Sequence, residues 1–270
     1  MLNFQSAGQG RRMIFFVHGN SQSLDCWSEL IKIHILNLNF RLVTLDLPGH
    51  GNSFRSNDIH KDYSFKGMAE HLKIFLAKYE KEEFMIVANC FGANLVGEIG
   101  QDLKSCKGLV LLSPSVLGNM LTLENVLKPN PNIKALSIPA PTDEQIDLYL
   151  EDAGSNLSPQ LRDVLKSSFR KTDPHFRTLF AESVEKKNYA DELDLLEKSG
   201  VPAAVVFGRD DKVFYTDYLD KVPFPKWKDK TNLIDNSGHF PQLDQPLALS
   251  KLIKEFAEDC FESASVPPAY

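Results

Sequence analysis

The segment Val87-Ala88-Asn89-Cys90-Phe91-Gly92-Ala93 sets a thiol between an apolar stretch and a helix-forming one, with small residues two positions before and two after it. Small residues at those places let a tight strand-to-helix turn pack closely on both sides, so the side chain between them is presented outward. A helix amino terminus is electropositive and favours the anionic form of a thiol placed there. With a histidine in reach, such a thiol is an acyl-accepting nucleophile. Ser237-Gly238-His239-Phe240 supplies one of the seven histidines, and Gly208-Arg209-Asp210-Asp211 supplies two aspartates. In the order Cys90, Asp211, His239 these residues could carry out acyl transfer: the imidazole takes the thiol proton and later activates water, while the carboxylate orients the ring. A cysteine alone is more often a buried structural residue, so the argument rests on the three together.

The elements that must position them show in the periodicity. Short apolar, β-branched runs at 13–17, 42–45, 84–88, 109–112, 203–207 and 232–234 alternate with segments of helical spacing at 24–37, 63–79, 92–103 and 247–260. That alternation predicts parallel strands joined by crossover helices, an α/β fold with a doubly wound, mostly parallel sheet. Each run ends in a turn signal, which places the reactive residues just past the carboxyl ends of the strands, where open α/β sheets hold their ligands. The interval 115–201 breaks the rhythm. It carries helical pieces at 142–153, 159–170, 174–187 and 191–199 among the prolines 129, 131, 139 and 141, too long and too patterned for a loop. The expected organisation is therefore a core from residues 1–114 and 202–270 and a helical cap inserted at 115–201. The tail 263–270, with two prolines, is expected to fray.

Composition excludes several classes. The chain has 270 residues, 43% of them hydrophobic and 24% charged, enough to bury a full core. A net charge of −6 without a long basic run argues against a nucleic-acid partner. The apolar run 108–121 is broken by Pro114 and falls short of the roughly 20 residues of a membrane span. The stretch after Arg11-Arg12 is too short for a signal peptide, so a soluble, cytoplasmic protein is expected. Its four cysteines, Cys26, Cys90, Cys106 and Cys260, show neither a disulfide-scaffold nor a zinc-ligand spacing and read as thiols. No metal or organic cofactor is implied.

Five features taken in order resemble the α/β-hydrolase superfamily over nearly the whole chain: His18-Gly19-Asn20-Ser21; Asp46-Leu47-Pro48-Gly49-His50-Gly51-Asn52-Ser53; the turn Ala88-Asn89-Cys90-Phe91-Gly92; Gly208 to Asp211; and Gly238-His239. The turn matches the nucleophile elbow G-x-S-x-G with Ala88 for the first glycine and Cys90 for serine, and the order nucleophile, acid, histidine is that of the family. The resemblance implies Asp211 as the acid, with Asp210 as the alternative. It implies the backbone N–H groups of Asn20 and Phe91 as the oxyanion hole. It implies a support role for His18 and none in catalysis for His50 or Ser53. The insertion falls where family members carry a cap, and its apolar residues, such as Leu148, Leu165, Phe169, Phe176, Leu179 and Phe180, suggest a hydrophobic acyl pocket. Only twelve residues precede Met13, so the usual opening strand pair must be shortened.

The function expected from these residues is hydrolysis of a small-molecule ester, thioester or lactone with an apolar part, through an acyl-Cys90 intermediate. An acyltransferase or cyclase would use the same intermediate, because a thioester is readily attacked by an amine or another thiol. A hydrolase-like binding protein is the non-enzymatic alternative. Cys90 could also stand as an engineered replacement for a serine, since A-N-S-F-G would be an ordinary elbow. The sequence leaves the oligomeric state open.

Overall fold

The computed structural model describes residues 1–263 and carries one sheet of seven strands: β1 (Phe4–Ala7), β2 (Arg12–Val17), β3 (Phe40–Leu45), β4 (Phe84–Asn89), β5 (Cys106–Leu112), β6 (Ala203–Gly208) and β7 (Asn232–Ile234). Their order is β1-β3-β2-β4-β5-β6-β7, and every pair is parallel except β1 with β3. The central strands are buried from end to end, which explains their unbroken apolar runs: helices cover both faces, so no position alternates toward water. Register lines up Val17, Ala88, Leu111 and Val205 across four adjacent strands. The loops that leave the carboxyl ends of β2, β4, β5 and β6 therefore start side by side. The amino-terminal part of the sheet is the short strand β1, paired along β3 from Phe4↔Leu45 to Ala7↔Leu42.

Between β5 and β6 lies a helical insertion. Its principal helices are Asp143–Ala153, Pro159–Lys171, Pro174–Glu185 and Glu192–Ser199. Their starts follow from local chemistry. Thr142 and Gln145 form a reciprocal capping box, and Ser158 and Asp173 cap helices that begin with proline, whose missing N–H costs nothing in the first turn.

Both ends of the insertion meet at Glu192. Its Oε2 accepts from the Leu117 N–H and from Asn94 Nδ2, each at 2.8 Å, so it ties the start and end of the insertion to the helix Phe91–Glu98. Burial keeps this carboxyl well above its ordinary range, the nearby Glu98 and Asp191 push the same way, and Oε1 has no hydrogen-bond partner among the described residues.

Three expectations need correction. The single helix expected over 24–37 is broken into Leu24–Trp27, Ser28–Ile31 and His34–Asn39, because Ile33 turns extended (ψ 117°). The Asn37 amide then donates to the Ile31 carbonyl across the break. The helix expected over 63–79 starts after Tyr63, where Ser64 caps Phe65–Leu76 by accepting from Gly67 N. Leu148 does not face inward: it is 41% exposed, one step off the stripe Ile146, Tyr149, Leu150 and Ala153 that its helix buries. Of the expected fraying tail, Ser263 closes the last helix, Pro246–Ser263, and the remainder lies outside the described residues.

Candidate active site

Cys90 stands between β4 and the helix Phe91–Glu98 with φ 51° and ψ −119°, a conformation that costs a non-glycine residue of the order of 1–3 kcal/mol. The surroundings hold it there. Its N–H donates to Leu112 O at 3.0 Å. A Cβ on Gly92 would come within 2.7 Å of the carbonyl oxygens of both Val17 and His18, so only glycine lets the helix start pack this closely on β2. Gly19 allows a similar approach from the other side: a Cβ there would sit 3.0 Å from Cys90 Cβ. Asn89, just before the thiol, also has a structural role. Its Oδ1 accepts from Gln22 Nε2 (2.9 Å) and Gln242 Nε2 (3.4 Å), and its Nδ2 donates to Leu112 O (3.1 Å). One buried amide thus joins the loop after β2, the end of β5 and the segment after His239.

His239 and Asp211 are shut away from solvent together, with Nδ1 2.9 Å from Asp211 Oδ2. A carboxylate only accepts, so Nδ1 carries the hydrogen. The other carboxylate oxygen accepts from Val213 N (2.8 Å) and Phe214 N (3.0 Å), which leaves the acid no freedom to turn. Asp210 is exposed and contributes only its backbone N–H, to Ser237 O. His239 Nε2 is buried without a hydrogen-bond partner among the described residues. Burial alone would depress the imidazole pKa, but Asp211 and then Cys90 outweigh it and hold it up, to about 10. The ring is wedged edge-on by Phe214, 4.6 Å between centroids.

The two residues expected to donate to an oxyanion lie on either side of the thiol. Phe91 is the first residue of its helix, a position whose N–H has no acceptor one turn earlier. Asn20 follows β2, and its side chain is already committed: Nδ2 donates to Leu136 O (3.1 Å) and Oδ1 accepts from Ser21 Oγ (2.7 Å). Only its backbone remains free to serve the site.

His18 and His50 hold this loop. The Leu47 N–H donates to His18 Nε2 (3.0 Å) and the Ser21 N–H to His50 Nε2 (3.3 Å), so both rings carry their hydrogen on Nδ1, facing Gly19 O and Pro48 O. Burial lowers the pKa of both, and the neutral rings serve as struts. Ser53 is likewise structural, donating to Asp46 O at 2.6 Å.

The insertion reaches the site at points that sequence reasoning missed. Tyr149 is buried near Cys90 and Asp211; burial and those two groups keep its hydroxyl protonated. Ala153 O accepts from the His239 N–H at 2.6 Å. Asp244 accepts from Gly238 N (2.8 Å) and Asn156 N (2.9 Å), knotting the histidine loop to the insertion. The inward stripe of the helix Asp143–Ala153 is a signal that could have found Tyr149; Asp244 has none beyond its place after His239. Phe176 and Phe180 pack on Phe91, with ring centroids 5.6 and 5.2 Å away, and Phe169 packs on Tyr149. Leu165 and Leu179 are buried in the insertion. All four cysteines are free and buried, and among the described residues no helix is long and apolar enough to cross a membrane.

Proteins of known structure share this fold. The structure superposes on that of N-acyl homoserine lactonase AidH complexed with N-butanoyl homoserine with a TM-score of 0.86 at 22% identity, covering 100% of this chain and 96% of that one. It superposes on a thermophilic esterase from Thermogutta terrifontis with a TM-score of 0.74 at 16% identity, covering 96% and 93%. In sequence the chain is 24% identical over 254 residues to monoacylglycerol lipase ABHD6 from Homo sapiens, spanning 90% of this chain and 74% of that protein. Residues 12–246 match the model of the alpha/beta hydrolase fold, and the chain belongs to that family.

Proposed function

We propose that the protein hydrolyses ester or lactone bonds of a small acyl substrate through a thioester on Cys90. The observation that carries this reading is the state of His239: one nitrogen is tied to Asp211, while the other is buried, unpaired and beside the thiol. Relatives named as a lipase, a lactonase and an esterase support the same bond class.

The proton of the pair rests on His239, and the thiolate sulfur attacks the carbonyl carbon to form a tetrahedral intermediate. The N–H groups of Asn20 and Phe91 receive its oxyanion. Collapse breaks the bond to the leaving oxygen, which takes the proton from His239. The now neutral imidazole removes a proton from water, hydroxide attacks the thioester, and the thiolate is released beside the protonated His239. The insertion at 115–201 acts as the cap, and the aromatic residues it lays against Phe91 and Tyr149 suit an apolar acyl group.

The test is mass spectrometry of the protein quenched during turnover of a series of p-nitrophenyl esters. An acyl adduct confined to Cys90, preceded by a burst of nitrophenolate and absent from His239→Ala, is the expected outcome. Turnover without any Cys90 adduct would overturn the covalent route. Release of free acid marks water as acceptor, whereas consumption only with an added amine or thiol marks an acyltransferase. Binding without a burst leaves the non-enzymatic alternative.

A further inference from the structure

The cap helix Pro174–Glu185 touches Phe91 and the loop that carries Asn20, the two residues whose N–H groups are proposed to receive the oxyanion. It meets Phe91 through Phe176 and Phe180, and it meets the Asn20 loop through Arg177. Arg177 is 2% exposed, yet none of the ion pairs among the described residues includes it. Its guanidinium is spent on neutral acceptors: Nε donates to Ser21 Oγ (2.9 Å), Nη1 to Pro139 O (2.9 Å) and Nη2 to Phe169 O. Burial pulls its pKa down to about 10, partly countered by Asp173 one turn earlier. Packing alone does not call for a charge here, because an apolar side chain of similar length would fill the space without the desolvation penalty. What the guanidinium adds is direction.

That direction ends on a strained residue. Ser21 has φ 57°, a left-handed conformation that a serine keeps only when its surroundings impose it. Two contacts impose it. From the core, His50 Nε2 accepts from the Ser21 N–H; from the cap, Arg177 holds the Ser21 hydroxyl, which in turn donates to Asn20 Oδ1. The Asn20 amide also donates to Leu136 O, a second cap contact on the same loop.

We infer that Arg177 is a positioning residue through which the closed cap sets the oxyanion hole: its bond to Ser21 fixes the turn that aims the Asn20 N–H, so the hole is complete only with the cap seated. The inference rests on Asn20 and Phe91 serving as the oxyanion donors. It predicts a site whose nucleophile is present in every cap position but whose transition-state stabilisation is present only in one.

Two electrophiles that attack the same sulfur separate these effects. Acylation by a p-nitrophenyl ester passes through an oxyanion, whereas alkylation by iodoacetamide is a direct displacement at carbon that forms none. Arg177→Met and Ser21→Ala are each expected to slow acylation of Cys90 about 10- to 100-fold, the range for a donor misplaced by of the order of 1 Å, mainly in kcat. Alkylation of Cys90 should stay within about twofold of the parent. Arg177→Lys, which can still donate one bond to Ser21, should recover part of the acylation rate. The double variant should be no slower than the slower single one, because both remove one link.

Acylation and alkylation that change in parallel would overturn the inference, since a loosened cap or damaged core would affect both. Multiplying effects in the double variant would do so too. If Arg177→Met fails to fold, Ser21→Ala removes the same link from the core side and carries the test. A parent that alkylates but never acylates defeats the proposed function itself; a parent that acylates with variants equal to it defeats only this inference.

Discussion

His239 Nδ1 stands 2.9 Å from Asp211 Oδ2 with both side chains withdrawn from solvent, while the neighbouring Asp210 faces outward. The pair sets up a sharp contrast between adjacent residues. Asp211→Asn puts an amide where a charge-assisted acceptor belongs and should lower kcat on the order of 10²- to 10⁴-fold. Asp210→Asn should leave steady-state kinetics about unchanged. Equal losses from the two would show that the histidine takes its orientation elsewhere.

The raised pKa of His239 has a consequence for stability. Burial opposes the imidazolium, but Asp211 and Cys90 keep the folded value at about 10, against 6.5 for an ordinary imidazole. The folded state thus holds a proton that the unfolded chain releases. The stabilisation is complete below pH 6.5 and is lost as pH rises toward 10, at up to about 1.4 kcal/mol per pH unit. Urea unfolding of the parent and of His239→Gln at pH 6, 8 and 10 should show a gap that closes with rising pH. A gap that stays constant would mean that the ring is neutral in the folded protein throughout.

Cys90→Ser tests which atom the site is shaped for. Sulfur is larger and forms a longer bond than oxygen, so exchange displaces the reacting carbonyl relative to the Asn20 and Phe91 donors. A shift of the order of 1 Å costs about 10²-fold in rate. We expect the serine variant to lose most esterase activity, and iodoacetamide to modify the parent at Cys90 in a manner dependent on His239. A serine variant that is faster on simple esters would instead identify cysteine as the replacement.

Glu192 provides a prediction remote from the chemistry. Its carboxyl is held protonated chiefly by burial, and it accepts from Asn94 and Leu117 as an amide oxygen could. For an acid whose folded pKa is raised, stability falls as pH rises above the ordinary value of 4.5, because the unfolded chain loses a proton that the folded one keeps. Glu192→Gln is free of that penalty. Its stability relative to the parent should grow by about 1.4 kcal/mol per pH unit above pH 4.5 until the parent side chain ionises. Thermal unfolding between pH 4.5 and 8 measures it, and a parent that gains on the variant over this range would show an ionised Glu192.

Within the core, local pattern carried far. The apolar runs of β2, β4, β5 and β6 were legible because strands buried on both faces must be apolar throughout, and the sites after them because turns need particular residues. The weaker elements were lost for an equally local reason: the helical spacing over 24–37 does not reveal that Ile33 leaves the helix.

By itself the sequence determined the α/β alternation, the helical insertion, and the ordered set of Cys90, an acid in the pair Asp210-Asp211, and His239, because hydrophobic period, turn chemistry and motif spacing act between near neighbours. The tertiary structure decided what depends on residues far apart in the chain. It turned Asp211 rather than Asp210 toward the histidine, put Tyr149 rather than Leu148 inside, gave His18 and His50 their tautomers, and brought Arg177 to Ser21 across 156 positions. No spacing rule links such residues, since the contact exists only after the sheet has aligned its strand ends and the insertion has closed over them.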